Sequence, residues 1–483
     1  MTAAALSCFL KHTYRIELVE SEQIGTVGVG EATIPQIILF NRALGLDEDD
    51  FIRCTQATFK LGIEFVDWLK PNHRYMHAFG AIGKDVALTP FQHLWARARA
   101  LGGASDLAAY SLNECAAVAG KMQRGPARTA KSLPDMPYAF HFDSMLYAEM
   151  LRRYAENRGV MRHEGQVSRV ERNGVSGDVA SVRLEDGRVL NADIFIDCSG
   201  FRGLLIEGAL NAGYEDWSHW LPCDSALAVP CARSETLTPY TRSTARSAGW
   251  QWRIPLQHRT GNGIVYSSAH WSRRDAEAAL LESLDGAPLA EPKPLVFKTG
   301  MRKKAWSHNV ISIGLASGFL EPLESTSIHL IQSAVARLLK FLPGKTIIPP
   351  DVEEYNRQTR IEYEKIRDFI ILHYKLNERS EYEFWRYCQN MAVPDGVTQK
   401  IEQFRQGGRI FREQEDLFSE VAWLQVMVGQ GIEPAGWHPL ADEIPEADLL
   451  DFVKITEALI AREVDQMPSH DAFVAAHCRA DPS

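Results

Sequence analysis

Three apolar runs of this sequence are followed directly by acidic residues, serines or glycines, and these positions could bind a nucleotide. Glu20 closes the apolar run at residues 14–20, where an acid can accept hydrogen bonds from ribose hydroxyls. Turns at residues 197–200 and 314–318 contain the glycines that let a backbone approach a ligand closely. The second turn precedes a helix predicted at residues 327–342, whose free N–H groups could bind an anion or the carbonyl oxygens of a cofactor ring. A solvated strand-end glutamate and ordinary strand-turn-helix packing remain alternative explanations.

The elements that would position these turns alternate between helix and strand. The sequence predicts a helix at residues 1–12. It predicts strands at the apolar runs 14–20, 166–170, 179–184, 194–200 and 310–318. Polar helices follow from about residue 351, including 351–372 and 380–391. The pair Pro349-Pro350 is expected to interrupt helix and form an extended linker. We therefore predict an α/β core at residues 1–350 and a helical C-terminal lobe at residues 351–483.

Composition argues against several classes of protein. A formal net charge of -10 over 483 residues disfavours a surface for nucleic acid or anionic membrane, because both need clustered lysine and arginine. No apolar run approaches the roughly 20 residues that span a bilayer. The eight cysteines include no C-x-x-C pair, which favours reduced thiols in a cytoplasmic enzyme and argues against a structural metal site.

Four segments, taken together and in order, resemble the flavin-dependent tryptophan halogenase family. They are Val29-Gly30-Glu31-Ala32-Thr33-Ile34-Pro35, Phe59-Lys60 with Phe65-Val66-Asp67-Trp68, Trp250-Gln251-Trp252-Arg253-Ile254-Pro255, and Glu321-Pro322-Leu323-Glu324-Ser325-Thr326. The W-x-W-x-I-P string separates this family from related flavin monooxygenases, and E-P-L-E-S-T is nearly as specific. The resemblance runs from Met1 to about Phe384. On spacing alone, Trp250 and Trp252 could instead be core aromatic residues on one strand face.

The resemblance implies both a fold and a chemistry. The core would be of the FAD-binding monooxygenase type, which resembles glutathione reductase, with a substrate sheet and a helical C-terminal lobe. A separate NAD(P)H-dependent flavin reductase would supply FADH2, and molecular oxygen and chloride or bromide would react at the flavin to give hypohalous acid. The oxidant would cross a tunnel to a lysine, which would deliver halogen to a small aromatic substrate. A homodimer is compatible with the family.

The resemblance assigns the catalytic roles to Lys60 and Glu324. The lysine would offer an N–H donor, or an amine that carries halogen, in a site shielded from water, because a diffusing oxidant would attack other targets. The carboxylate would stabilise the cation that develops on the ring or help to remove its proton. Lys60 could instead lie on the polar face of an alternating strand at residues 59–65. Glu324 could complement the N-terminal end of the following helix.

Further site residues are implied by the same resemblance. Thr326 and Ser327 would bind halide through backbone N–H groups, although Ser327 replaces a common glycine and would be strained if a positive φ were required. The substrate ring would lie between His77 and Phe79, with Trp423 as a further wall, which would orient the ring. A lone histidine is more often structural. The cofactor would contact seven residues, namely Glu20, Ser21, Gly30, Ala32, Val167, Leu315 and Ile328.

Two departures from the family pattern lead to further predictions. The family's first strand and G-G-G-T-A-G-W segment would end immediately before Met1, so we hypothesise an N-terminal truncation that weakens FAD binding or folding. A flavin fluorescence titration would test that hypothesis. Residues 418–429 lack the tyrosine pair with which tryptophan-specific members bind the amino acid's charged groups. This difference predicts a preference for indole, a substituted indole or a larger indole-bearing molecule over free tryptophan.

Two other functions stay open on the sequence. A flavin monooxygenase would hydroxylate its substrate, and Lys60 with the paired tryptophans argues against it. An FAD-free remnant that serves as a binding protein would explain the missing glycine-rich segment, yet the downstream motifs are intact.

Overall fold

The computed structural model describes residues 1–11, 13–24, 31–130, 132–344 and 346–481. Within them the chain forms a mixed α/β structure, as predicted. The helices are α1 (Thr2–Leu10), α2 (Gln36–Ala43), α3 (Glu48–Cys54), α4 (Phe91–Ala100), α5 (Leu112–Val118), α6 (Ser144–Glu156), α7 (Arg273–Glu282), α8 (Ser327–Lys340), α9 (Pro349–Lys375), α10 (Glu383–Asn390), α11 (Asp395–Gly407), α12 (Glu420–Gly429), α13 (Glu446–Gln466) and α14 (His470–His477).

The strands of the same residues are mostly short. They are β1 (Glu17–Glu20), β2 (Glu31–Ala32), β3 (Thr58–Lys60), β4 (Gly62–Val66), β5 (Arg74–Ala78), β6 (Ala139–Phe142), β7 (Met161–Glu164), β8 (Val167–Arg172), β9 (Val179–Leu184), β10 (Val189–Asn191), β11 (Phe195–Asp197), β12 (Tyr214–Asp216), β13 (Ser225–Ala232), β14 (Thr241–Arg246), β15 (Gly249–Pro255), β16 (Arg259–Tyr266), β17 (Lys293–Val296), β18 (Gly300–Arg302), β19 (Trp306–Ser307), β20 (Val310–Ser312) and β21 (Gly318–Phe319).

The largest sheet of the described residues has seven strands, in the order β17-β13-β16-β15-β14-β4-β5. Trp250 and Trp252 lie two residues apart on β15 and their rings are 6.0 Å apart, which agrees with the predicted shared face. Gly263 of β16 lies opposite Trp252, and a Cβ there would come within 2.1 Å of the indole ring. The glycine therefore lets the Trp252 ring lie directly on the neighbouring strand.

Smaller sheets carry the remaining predicted strands. β2, β6 and β3 form one three-stranded sheet, which ends at Lys60. β1 pairs in parallel with β7, and β11 pairs in parallel with β20, in two separate sheets of the described residues. The predicted turns therefore follow strands as expected, and the turn after β20 packs against α8.

The C-terminal helices differ from the sequence prediction in two ways. Pro349 and Pro350 form the first turn of α9 and are not an extended linker, because proline is compatible with the first helical positions, where its missing N–H costs nothing. The second half of α9, predicted as part of a polar helix, is buried, including Phe369 and His373. It lies in one hydrophobic core with strands of the large sheet. The division at residue 350 stays a prediction.

No helix of the described residues is long and apolar enough to cross a membrane. Nor do those residues contain a group of three or more histidine, cysteine or acidic side chains arranged to hold a metal ion.

Candidate active site

Lys60 ends β3 with its side chain fully buried, 0% exposed. Its Nζ donates hydrogen bonds to the carbonyl oxygen of Thr33 at 3.0 Å and to Oγ of Ser325 at 2.8 Å. The alternative of a solvated polar strand face is therefore wrong for Lys60, since all three residues of β3 are buried. Burial lowers the pKa of Lys60 to about 7, and the nearby negative charge of Glu324 only partly offsets it.

Glu324 is held between two imidazoles. Its Oε2 lies 2.8 Å from Nδ1 of His77 on β5, and its Oε1 lies 2.7 Å from Nε2 of His373 on α9. Only the first contact has hydrogen-bond angles; the second has the separation of an ion pair. Burial alone would raise the pKa of Glu324, but His77 and His373 together outweigh it and hold that pKa at about 2. The carboxylate is therefore an anion, 1% exposed, close to a buried amine.

The turn from Glu324 to Ser327 positions both groups. Ser325 adopts a left-handed conformation, with φ 59°, and this brings its hydroxyl under Nζ of Lys60. Thr326 precedes α8, and its buried hydroxyl has no hydrogen-bond partner among the described residues. Ser327 is the first residue of α8 and has no positive φ, so the expected strain does not arise there; Ser325 carries it instead.

Aromatic side chains surround this pair of catalytic candidates. The ring centroid of Phe79 lies 5.4 Å from Nζ of Lys60. Phe369 of α9 stacks on Phe418 with centroids 3.9 Å apart, and it lies 5.2 Å from Trp423 and 5.4 Å from His77. The structure therefore brings the predicted His77 and Trp423 together around Phe369, which was not predicted, and it places the predicted Phe79 beside Lys60. Phe418 is the first residue of segment 418–429, which the sequence analysis connected with substrate binding. Its position in that segment is the sequence signal that could have identified it as a site residue.

A second buried carboxylate joins two of the sequence motifs. Glu321 is 0% exposed, and its Oε2 accepts hydrogen bonds from Nε1 of Trp250 at 2.8 Å and from the hydroxyl of Tyr374 at 2.6 Å. Its Oε1 has no hydrogen-bond partner among the described residues. Burial raises the pKa of Glu321 to about 7, despite the two donors. The resemblance gave a role to Glu324 and none to Glu321, and no sequence signal indicated that Glu321 would be protonated at mildly acidic pH while Glu324 is ionised.

Substitution of Glu321 by glutamine is expected to stabilise the protein increasingly as the pH rises. The raised pKa means that the folded state keeps a proton that the unfolded state loses above about pH 4.5. Between that pH and about 7, the wild-type free energy of unfolding therefore falls by about 1.4 kcal/mol per pH unit relative to Glu321→Gln. The glutamine oxygen can still accept from Trp250 and Tyr374. Urea unfolding of both proteins at pH 5 and pH 8 measures the effect, and an equal difference at the two pH values would contradict it.

These contacts bring together all four motifs found in the sequence. Thr33 comes from the first, Lys60 from the second, Trp250 from the third, and the residues from Glu321 to Thr326 from the fourth. Two surface cavities, of about 390 and 430 Å³, lie elsewhere and are lined by neither Lys60 nor Glu324.

Comparisons with known proteins agree with this geometry. The family model for tryptophan halogenase matches residues 1–446. The chain belongs to the tryptophan halogenase family. It is 33% identical over 482 residues to the tryptophan 7-halogenase RebH of Lentzea aerocolonigenes, an alignment that covers 92% of this chain and 90% of RebH.

Two solved structures are more similar to this halogenase. Xcc4156, a flavin-dependent halogenase from Xanthomonas campestris, is 45% identical with a TM-score of 0.96, and BrvH, a flavin-dependent halogenase from Brevundimonas sp. BAL3, is 44% identical with a TM-score of 0.93. Each match covers 100% of this chain and 96% of the other. The predicted FAD-binding core with a helical C-terminal region is therefore confirmed, and the chain is a flavin-dependent halogenase that uses FAD in its reduced form.

Five of the seven predicted cofactor residues of the halogenase lie in two groups. Glu20 ends β1, and its carbonyl oxygen accepts a hydrogen bond from the N–H of Gly165, two residues before β8 begins at Val167. Glu20, Ser21 and Val167 are therefore close together. The carboxylate of Glu20 is already paired with Arg162 at 2.6 Å. The second group comprises Leu315, in the turn after β20, and Ile328, in the first turn of α8.

Ala32 is buried in β2, and Gly30 lies outside the described residues. The unpartnered hydroxyl of Thr326 and the N-terminal N–H groups of α8 are suited to the polar edge of a flavin or to an anion. The residues present therefore fit the cofactor that the family uses.

Proposed function

We propose that Lys60 and Glu324 carry out the halogenation of an electron-rich aromatic ring, indole or an indole derivative. The observation that supports this proposal is the convergence of a buried amine and a buried carboxylate beside aromatic rings. Lys60 lies against Ser325, the residue that follows Glu324, and the side chains of Lys60 and Glu324 are at most 1% exposed. A water-poor site of this kind keeps a reactive oxidant beside the substrate.

Lys60 would bind the oxidant through its ammonium group. Thr33 and Ser325 accept two of the three ammonium hydrogens, so one hydrogen remains for the oxygen of hypohalous acid. Donation to that oxygen makes the halogen more electrophilic. The ring carbon then bonds to halogen, the oxygen–halogen bond breaks, and the leaving hydroxide takes a proton from the Lys60 ammonium group to become water. The proton that the ring loses in the next step balances this transfer.

Glu324 would complete the substitution. The ring carries positive charge until it loses the proton at the halogenated carbon, and a nearby anion stabilises that cation and can accept the proton. Because His77 and His373 hold Glu324 in its ionised form, the carboxylate is ready for this role across the neutral range.

When bound, reduced flavin would activate molecular oxygen as the oxidant that converts chloride or bromide to hypohalous acid. On the protein side, Thr326 and Ser327 would hold halide at the start of α8, where a free hydroxyl and helix N–H groups favour an anion. A separate flavin reductase would provide the reduced flavin. The eight cysteines are all free, which supports a reducing compartment such as the cytoplasm.

The substrate site favours a ring without a charged amino-acid group. Phe369, Phe418 and Trp423 form an aromatic wall. The nearby cation Lys400 lies 5.3 Å from the Trp423 ring, but it is already paired with Asp416 at 3.4 Å. It is therefore not a free charge for the carboxylate of tryptophan.

A competition assay tests this function and its substrate class together. The protein, with FAD, a flavin reductase, NADH and bromide, is given equal concentrations of indole and tryptophan, and products are identified by mass spectrometry. We expect brominated indole to exceed brominated tryptophan by about tenfold or more, since the site would leave the amino acid's charges unpaired. Dominant tryptophan bromination would contradict the substrate preference, and a hydroxylated product would favour a monooxygenase instead.

The pH dependence of halogenation should report the Lys60 ammonium. With a pKa of about 7, the ammonium form is lost as the pH rises through that value, so we expect product formation to fall between pH 6 and 8. The measurement compares chloride with bromide, because the two hypohalous acids ionise at different pH and only a Lys60 effect would be common to both. Activity that rises with pH would indicate that the neutral amine carries halogen.

A further inference from the structure

A chain of buried hydrogen-bonding groups leads away from Glu324. Nε2 of His373 faces Glu324 at 2.7 Å, and Nδ1 of His373 lies 3.0 Å from the hydroxyl of Tyr75. Nε2 of Gln430 donates to that hydroxyl at 2.9 Å and to the carbonyl oxygen of His373 at 3.0 Å. All four side chains are buried, and only Glu324 belongs to a motif found in the sequence.

The direction of each hydrogen in this chain follows from one fixed acceptor. The carbonyl of His373 can only accept, so the nitrogen of the Gln430 amide must face inward. The Tyr75 oxygen accepts from Gln430, and Nδ1 of His373, 3.0 Å away, is the acceptor within reach of the hydroxyl's own hydrogen. Since Nδ1 accepts, the hydrogen of neutral His373 is on Nε2, which faces the carboxylate of Glu324.

We propose that Tyr75 and Gln430 are positioning residues that hold His373 in the tautomer with its hydrogen on Nε2. Glu324 thereby keeps its hydrogen bond with His77 at Oε2 and the protonated edge of the His373 ring 2.7 Å from Oε1, a close electrostatic contact without hydrogen-bond angles. This inference rests on the proposed role of Glu324 and extends it to two residues that do not touch the substrate.

The opposite tautomer would disturb the catalytic carboxylate. A nitrogen lone pair would then face Oε1 of Glu324 at 2.7 Å, and the carboxylate would lose one of two groups that favour its charged form. The titratable groups that face Glu324 are His77 and Tyr75 from β5, His373 from α9, and Lys60 from β3. Of these groups, His77 contacts Oε2, and His373 is the group that lies 2.7 Å from Oε1.

Aromatic packing keeps the relevant rings in one orientation. Phe65 of β4 stacks on His373 with centroids 4.5 Å apart and on Tyr75 with centroids 4.9 Å apart. The His373 ring therefore has little freedom to turn, and the tautomer depends on the hydrogen that Tyr75 provides.

Substitution of Tyr75 by phenylalanine tests the proposal with the loss of a single hydroxyl. We expect kcat for bromination of indole to fall about tenfold, with KM and flavin oxidation nearly unchanged. The acidic limb of the halogenation pH profile should move to higher pH, since Glu324 becomes a stronger base. The control is Tyr147→Phe, which removes another buried tyrosine hydroxyl, one that donates to Asn41 away from the site.

A second pair of variants separates tautomer control from simple structural support. In His373→Gln, an amide N–H can still face Glu324, and no tautomer remains to be selected. We therefore expect this variant to keep more activity than His373→Leu, and addition of Tyr75→Phe to it to change the rate by less than about twofold. A full tenfold loss in that background would overturn the proposal.

Two further outcomes would also overturn it. Wild-type product formation by Tyr75→Phe would show that the hydroxyl has no role. Equal loss of halogenation and flavin oxidation, with a lower unfolding temperature, would show that Tyr75 only supports the fold. Neither outcome touches the proposed function, which depends on the Lys60 and Glu324 variants.

Discussion

Replacement of Lys60 by alanine should abolish halogenated product while oxidation of reduced flavin continues. The side chain provides the donor that activates the oxidant beside the substrate, and loss of such a group typically costs roughly 10²–10⁴-fold in rate. The buried amine also donates to Thr33 and Ser325, so its loss leaves two acceptors without their partner. Product formation and flavin oxidation should be measured in the same reaction, because only the first is expected to change.

Two companion variants keep this result interpretable. Lys60→Met retains a long apolar chain and fills the buried space that alanine would leave empty, so a folding defect in the alanine variant would not be repeated there. Lys454→Ala removes an exposed lysine of α13 and should behave as the wild type. Product formation by both Lys60 variants at the wild-type rate would remove Lys60 from the proposed chemistry.

Replacement of Glu324 by glutamine should lower kcat for halogenation by roughly 10²–10³-fold, again with flavin oxidation preserved. The amide has nearly the same shape but no charge, so it neither stabilises the cationic ring nor accepts its proton. One end of the amide is also a donor and would face the N–H of either His77 or His373, which would leave two donors opposed. Single-turnover measurements with indole would show the effect on the chemical step.

Glu321 offers a matched control for that substitution. It is also fully buried and lies three residues earlier, but its single occupied oxygen accepts from Trp250 and Tyr374, and an amide oxygen can do the same. Glu321→Gln should therefore retain far more halogenation than Glu324→Gln. Equal losses would show that any change in this turn damages the site, and that Glu324 has no special role.

The sequence alone was enough to predict the family of this halogenase and much of its secondary structure. The family could be predicted from four short motifs, because each of them combines unusual residue types at fixed local spacing. Strands and helices were also largely predictable where the periodic pattern is local: β9 occupies the predicted residues Val179–Leu184, and α8 begins at the predicted Ser327. The linker predicted at Pro349 and Pro350 was wrong, because the effect of a proline depends on whether it falls inside a helix or, as here, in its first turn.

The environment of each catalytic side chain was decided only by the tertiary structure. Lys60 has the same alternating neighbours whether its strand is solvated or buried, so its lowered pKa depends on what packs against β3. His373 and Gln430 are far from Glu324 in the sequence, and no local pattern records that they meet. Glu321 and Glu324 show the same point most directly, because two carboxyls three residues apart acquire very different pKa values on folding. Burial raises the pKa of Glu321 to about 7, whereas His77 and His373 outweigh burial and hold the pKa of Glu324 at about 2.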